Sequence, residues 1–373
     1  MKTNILWYLF LLIGYTSQAQ KVTVPMQASH WIIKAKESKL TTYLGKPSIY
    51  LKNGSATAKN VDLKNGIIEF DIAFSQKRQF SGVHFRLQPD LINSEEFYLR
   101  PHQSGNPDAN QYTPIVNGLA GWQIYYGKGH SKAYQYKFDQ WMHVKIIFAD
   151  NEAEFYIDDM TQPLFRAYEL KHSPKSGGVA FSSSLQGAYF ANFSYQKLAQ
   201  PTLKGKVLER KSLAKGTITQ WQVSSIFPES SLENQYRLSA SMKSSLQWKS
   251  LSTEFTGIAN LARVNKINAK QKLNTAFAKV VIESDQVQIK KLDLGYSDRV
   301  YVYCNDQLMY SGSNRFRSRD YRYLGTIGYF DTVYLPLKKG KNEVWIAVSE
   351  NFGGWGIQAK LSNMTGIKVQ SSK

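Results

Sequence analysis

The chain has 373 residues, 42% of them hydrophobic and 20% charged, which is long enough for two domains, each with its own core. Aromatics reach 13%, with 23 Tyr, and this favours an all-β protein and excludes coiled coils and helical solenoids. The net charge of +19 is spread along the chain, which reads most simply as a solvated basic surface, with an anionic glycan or cell surface as the alternative partner.

Residues 1–19 read as a signal peptide: Lys2 supplies the positive end, residues 5–15 are apolar, and Ser17 and Ala19 are small residues placed for cleavage before Gln20. The mature chain is therefore expected to be secreted or periplasmic. No later run approaches the roughly 18 apolar residues that a spanning helix needs, so no membrane span is expected. The single cysteine, Cys304, excludes an intrachain disulfide and reads as a buried, inert thiol.

From about residue 30 to residue 197, short β-patterned runs alternate with turn clusters such as Lys64-Asn65-Gly66 and Lys175-Ser176-Gly177-Gly178, the pattern of a β-sandwich. Residues 198–217 are Lys-rich and weakly apolar and are read as a linker. A second β series follows over residues 218–373. The expected fold is all-β, two β-sandwich (jelly-roll) domains in tandem, over residues 20–197 and 218–373.

Side chains at i and i+2 of a strand share one face. In residues 66–74, Ile68, Phe70 and Ile72 form an apolar side, which leaves Glu69 and Asp71 opposite. In residues 82–88, Val83, Phe85 and Leu87 oppose His84 and Arg86. Phe97 and Leu99 oppose Tyr98, Arg100 and His102, while Trp122 and Ile124 oppose Gln123 and Tyr125. Were these strands neighbours in one sheet, the face would carry carboxylates, imidazoles, guanidiniums and phenols. Such groups give directed hydrogen bonds to sugar hydroxyls, and the aromatic rings offer a plate to the C–H side of a pyranose. An ordinary solvated sheet face has the same alternation. Residues 101–119 read as a long loop that either lines the rim of a binding groove or is an idle surface loop, and Trp141 reads as a core or edge aromatic.

The runs Gly66-Ile67-Ile68-Glu69-Phe70-Asp71-Ile72, Gly82-Val83-His84-Phe85-Arg86, Phe97-Tyr98-Leu99-Arg100-Pro101-His102, Trp141-Met142-His143-Val144-Lys145-Ile146 and Phe155-Tyr156-Ile157-Asp158-Asp159 resemble the concanavalin A-like lectin and glucanase superfamily. Within it they are most similar to 3-keto-disaccharide hydrolase and laminin-G-like domains. The resemblance implies a jelly roll whose concave sheet faces carbohydrate. Compared with family 16 glycoside hydrolases, Glu69 and Asp71 match the first two acidic positions, but Ala73 and Phe74 stand where a second Glu belongs. A retaining glycosidase needs two carboxyl groups about 5 to 5.5 Å apart, so Glu69 alone cannot serve that mechanism. Glu254-Phe255-Thr256-Gly257, Leu294-Gly295-Tyr296-Ser297-Asp298 and Gly353-Gly354-Trp355-Gly356 resemble a galactose-binding-like sandwich, which implies an ancillary domain that binds sugar or supports its neighbour.

The expected function is that of a secreted carbohydrate-binding protein in bacterial polysaccharide recognition or degradation, with a glycoside-cleaving enzyme of the 3-keto-disaccharide hydrolase type as the alternative. The binding residues would be Glu69, Asp71, His84, Arg86, Tyr98, Arg100, His102, Gln123 and Tyr125. Its partner would be an oligo- or polysaccharide, anionic or neutral, and not nucleic acid. No phosphate loop or zinc spacing calls for a cofactor, and structural calcium held by loop carboxylates stays open.

Overall fold

Ile68, Phe70, Ile72, Val83, Phe85, Phe97 and Leu99 are each at most 1% exposed, so the apolar side of the alternation forms the core of the first unit. The computed structural model describes residues 20–206 and 212–370; the signal-peptide segment and residues 207–211 of the linker lie outside the described residues. The first sheet contains β1 (Val22–Thr23), β2 (Trp31–Tyr43), β3 (Lys46–Ala58), β4 (Gly66–Ala73), β5 (Gln79–Leu87), β6 (Ser94–Leu99), β7 (Asn110–Val116), β8 (Leu119–Ala120), β9 (Met142–Ala149), β10 (Glu152–Ile157), β11 (Phe165–Ala167), β12 (Gly178–Leu185) and β13 (Ala188–Lys197). Its order is β11-β10-β9-β4-β13-β3-β12-β5-β6-β7-β8, with β1 on β13 and β2 on β3.

This sheet folds back on itself. Phe70 of β4 lies 5.0 Å from Phe181 of β12, Phe148 of β9 lies 5.0 Å from Phe85 of β5, and Phe155 of β10 lies 4.6 Å from Phe97 of β6. The β4, β9 and β10 half therefore packs against the β12, β5 and β6 half, with the aromatics between them as the core of a sandwich.

The second unit has an 8-stranded and a 4-stranded sheet. Its strands are β14 (Gln220–Ser224), β15 (Phe227–Pro228), β16 (Trp248–Ser252), β17 (Ala259–Asn260), β18 (Asn274–Ser284), β19 (Gln288–Ser297), β20 (Arg299–Cys304), β21 (Gln307–Ser313), β22 (Asp331–Leu337), β23 (Gly340–Glu350), β24 (Gly356–Leu361) and β25 (Ile367–Gln370). Trp221, Trp355, Leu294 and Ile346 are buried in its core. Cys304 is 3% exposed, and burial pushes its thiol up to about 11, so it is an unreactive core side chain. Among the described residues no helix is long and apolar enough to cross a membrane.

Three local features depart from the sequence reading. Residues 121–126 form turns rather than a strand, closed by the amides of Ile124 and Tyr125 donating to the Gly121 carbonyl. Inside the expected loop, Asn110–Val116 is β7, paired with β6. Lastly, β5 carries a bulge: Gly178 faces Leu87 but Ala180 faces His84, and Arg86 has φ +50°. A bulge inserts one residue into a strand, so alternation changes face beyond it.

Candidate functional site

The fold separates the residues that the alternation grouped. Because Phe70 and Phe85 both point into the core from opposed layers, Glu69 and Asp71 leave on one outer surface and His84 leaves on the other. The expectation of one shared face is therefore corrected: β4 is not in the same layer as β5 and β6.

Arg86 is not on a surface at all. Past the bulge its side chain turns inward and is 2% exposed, with Nε donating to the Lys64 carbonyl at 2.8 Å and a terminal nitrogen donating to Asn65 Oδ1 at 3.2 Å. Gln123 and Tyr125 are buried between the two units, because the turn at residues 121–126 abolishes two-residue alternation. Gln123 Nε2 donates to the Leu324 carbonyl at 2.8 Å, and Tyr125 donates its hydroxyl to Glu254.

Four of the residues do gather on the outer face of β5 and β6. His84 Nδ1 is 3.0 Å from Ser94 Oγ, and its Nε2 is 3.3 Å from Glu96 Oε1. This is a Ser–His–carboxylate chain, but Ser94 is 2% exposed and cannot meet a substrate as a nucleophile. Arg100 is spent on the fold. Its terminal nitrogens donate to Asp108 Oδ2 at 2.9 Å, Tyr98 Oη at 2.7 Å and Gln111 Oε1 at 2.6 Å, and only 6% of the residue is exposed. Tyr98 is likewise buried, while His102 packs edge-on against Phe80 at 5.3 Å. Burial, with Arg78 and Arg100 adding repulsion, lowers the His102 imidazole below its ordinary value.

The opposite outer face presents the more open constellation. Register places Asp71 of β4 beside His143 of β9 and Glu69 beside Lys145. His143 Nδ1 donates to Asp71 Oδ1 at 2.6 Å, and its Nε2 lies 3.9 Å from Glu69 Oε1. Lys46 Nζ and Asn192 Nδ2 donate to Asp71 Oδ2 at 2.7 and 2.6 Å, and Lys21 pairs with Glu69. These contacts set the charge states. Hydrogen bonding to Asp71, then to Glu69, lifts the His143 imidazole to about 9 against the pull of burial. The His143 imidazole, helped by Lys21, holds the Glu69 carboxyl at about 2. Burial pushes Asp71 upward, but bonds from His143, Lys46 and Asn192 outweigh it and leave the carboxyl below its usual range.

Half-buried rings flank this cluster. Tyr43 stacks on Tyr189 at 3.8 Å, Trp141 meets Tyr43 edge-on at 5.8 Å, Tyr50 lies 4.9 Å from Tyr189, and Lys46 sits 5.4 Å over Trp141. Trp141 Nε1 donates to the Leu44 carbonyl at the tip of the β2–β3 hairpin, and Trp141 lies two residues before His143, on the side opposite the buried Met142. Sequence reasoning missed His143, Lys46, Asn192 and the aromatic row. For His143 a signal existed, since it alternates with Met142 and Val144, but its proximity to Asp71 is a product of strand pairing. Among the described residues no three His, Cys, Asp or Glu side chains are grouped to hold a metal ion.

No protein-family signature and no curated protein matches the sequence. Among solved structures, the chain is similar to the carbohydrate-binding module CBM66 from Bacillus subtilis, at 13% identity and TM-score 0.36, over 45% of this chain and 96% of that one. It is also similar to a Bacillus licheniformis beta-glucanase, at 11% identity and TM-score 0.35, over 48% and 98%. A third is a Bacillus subtilis protein with a galectin-like fold, at 10% identity and TM-score 0.35, over 45% and 90%. Likenesses at these identities concern the fold alone, so function rests on the site itself.

Proposed function

We propose that the protein is a secreted carbohydrate-binding protein whose first sandwich takes an oligo- or polysaccharide on the outer face of β9, β4 and β13. The observation that carries this reading is the row of half-buried Trp141, Tyr43, Tyr189 and Tyr50 beside the Lys46–Asp71–His143–Glu69 network. Rings accept the C–H side of a pyranose, and the adjoining charged groups hydrogen-bond its hydroxyls. Lys21, Lys46, Lys145 and protonated His143 surround Glu69 and Asp71, while Asp139 beside Tyr43 and Glu37 beside Tyr50 lie at the aromatic end, so the acid groups of an anionic glycan would sit on the lysine side of the face. Secretion rests on the character of residues 1–19.

Charge states favour binding over cleavage on this face. A glycosidase acid needs a carboxyl kept protonated near neutral pH, usually by burial without a cation. Glu69 and Asp71 are both held ionised by cationic neighbours, and a His143 imidazolium titrating near 9 is a poor proton donor at pH 7. Retention of the purified protein on a glycan array and in affinity gels, compared with Trp141→Ala and Tyr189→Ala, tests the reading. Loss of retention with an unchanged melting temperature is expected. Wild-type retention by both folded variants overturns it.

A further inference from the structure

Arginine and lysine are used differently in this chain. Of its 12 arginines, Arg86, Arg100 and Arg166 are buried, while Arg263 and Arg299 are paired with Glu254 and Glu229. Four more fall within residues 315–322, where there is no lysine, and all four are exposed. Lysine, a hydrated point charge, suffices for a solvated surface, whereas the planar guanidinium fork matches the paired oxygens of an oxyanion.

The four sit in the loop between β21 and β22, beside the junction of the two units. Asp298 ties this loop to residues 351–354: its carbonyl accepts from the Asn314 amide at 2.7 Å and its Oδ2 from the Phe352 amide at 2.7 Å. Gln123 of the first unit holds the same two segments, donating Nε2 to the Leu324 carbonyl and its backbone amide to the Gly353 carbonyl, each at 2.8 Å. Tyr321, Phe330 and Phe352 are thereby left 76%, 49% and 53% exposed. Phe352 meets Trp122 of the first unit edge-on at 5.5 Å and Phe330 meets Tyr323 at 6.0 Å, but no ring contact joins the three exposed rings to one another.

Positive charge is in excess here. Arg322 is paired with Asp320 and Arg319 with Asp331, whereas among the described residues neither Arg315 nor Arg317 has an ion-pair partner. Burial lifts the nearby Asp298 and Glu229 carboxyls, and Arg315 is among the groups that oppose it. Arg317 lies 4.9 Å over the Phe316 ring, Arg319 5.5 Å over Phe330 and Arg322 5.3 Å over Tyr321. A ring beneath the guanidinium fixes its plane and leaves its N–H edge for a guest. We propose that this surface is a second glycan site, taking an acidic polysaccharide whose carboxylate or sulfate groups meet Arg315 and Arg317 and whose pyranose rings lie on the exposed rings of the loops. Rings set apart among guanidiniums suit a polymer in which apolar sugar faces alternate with acid groups, whereas a protein partner needs a contiguous apolar core. The Trp141 face is built from other elements, so neither site depends on the other.

Isothermal titration of the full chain with octasaccharides of heparin and of polygalacturonate tests the proposal and separates sulfate from carboxylate, with maltooctaose as the neutral control and a poly-glutamate peptide as the protein control. At least one acidic octasaccharide should bind saturably, and more tightly than either control. That affinity should fall about tenfold or more in Arg315→Gln/Arg317→Gln, and about threefold in Arg315→Lys/Arg317→Lys, which keeps the charge but loses the fork. Tyr321→Ala leaves the charge untouched and should also cost about threefold, which keeps the test decisive if an arginine variant fails to fold. Saturable binding should persist in Trp141→Ala. The proposal is overturned if neither acidic octasaccharide saturates, or if the folded glutamine, lysine or Tyr321→Ala variants bind as wild type does. Equal or tighter binding of poly-glutamate overturns it by assigning the surface to an acidic protein segment, and a loss confined to Trp141→Ala does so by assigning the glycan to the outer face.

Discussion

The His143 imidazole links the site chemistry to stability in a way that can be measured. Its value of about 9, against an ordinary 6.5, reflects the bond to Asp71 first and the Glu69 carboxylate second. A shift of that size corresponds to at most about 3.4 kcal/mol. The side chain is 36% exposed, however, so solvent screening reduces the contribution to about 1 to 1.5 kcal/mol. Because the folded-state value is raised, the stabilisation is complete below pH 6.5 and is lost as pH rises from 6.5 through 9. His143→Gln removes the titrating group. Calorimetry should find wild type melting about 2 to 6 °C above the variant at pH 6, with the gap closing by pH 10. Titration of the imidazole by NMR gives the midpoint directly. A midpoint at or below 6.5, or a gap that widens with pH, would refute the charge network and with it the argument that Glu69 and Asp71 stay ionised.

The acid limb has the opposite sign: Glu69 is held at about 2, so its contribution is present above pH 4.5 and disappears as pH falls toward 2, and Glu69→Gln should flatten that limb of the thermal stability profile. Arg100→Ala should destabilise the protein by about 2 to 4 kcal/mol in urea unfolding, because it strands Asp108, Tyr98 and Gln111 around a nearly buried void; unchanged stability would return Arg100 to the list of ligand-binding groups. Glu254→Gln leaves the buried Lys171 ammonium with Glu169 alone and weakens the Arg263 pair, so protease susceptibility between the units should rise, as scored by limited proteolysis. Binding of an anionic glycan to the Trp141 face should weaken as salt rises from 0.05 to 0.5 M, by roughly the screening of a few exposed charges; salt-independent binding contradicts the role given to Lys21, Lys46 and Lys145.

Much of the architecture was legible because strand alternation is a local property. Ile68, Phe70 and Ile72, or Val83 and Phe85, disclose an inner face from period two alone, and each is found in the core. Arg86 defeated the same reasoning. One bulge residue at φ +50° turns its guanidinium from an expected outer face into the core, and nothing in Gly82-Val83-His84-Phe85-Arg86 marks that slip, which arises opposite residues 178–180 on another strand. Gln123 and Tyr125 alternate like strand residues with Trp122 and Ile124, yet they sit in a turn that the second unit covers.

The linear chain by itself determined that this protein is built of β-sandwich layers, which residues dry its cores, and that its chemistry is polar, aromatic and basic. Those properties follow from side-chain character and a two-residue period, both local. Only the tertiary structure decided which of the polar residues share a surface. Layer assignment depends on where the sheet folds over itself between β13 and β12, and that is set by pairing between strands more than 100 residues apart, such as β3 with β12 and β13. For that reason Glu69 and Asp71 meet His143 and Lys46, with Trp141 beside Lys46, rather than the His84 and Arg100 that follow them in the chain.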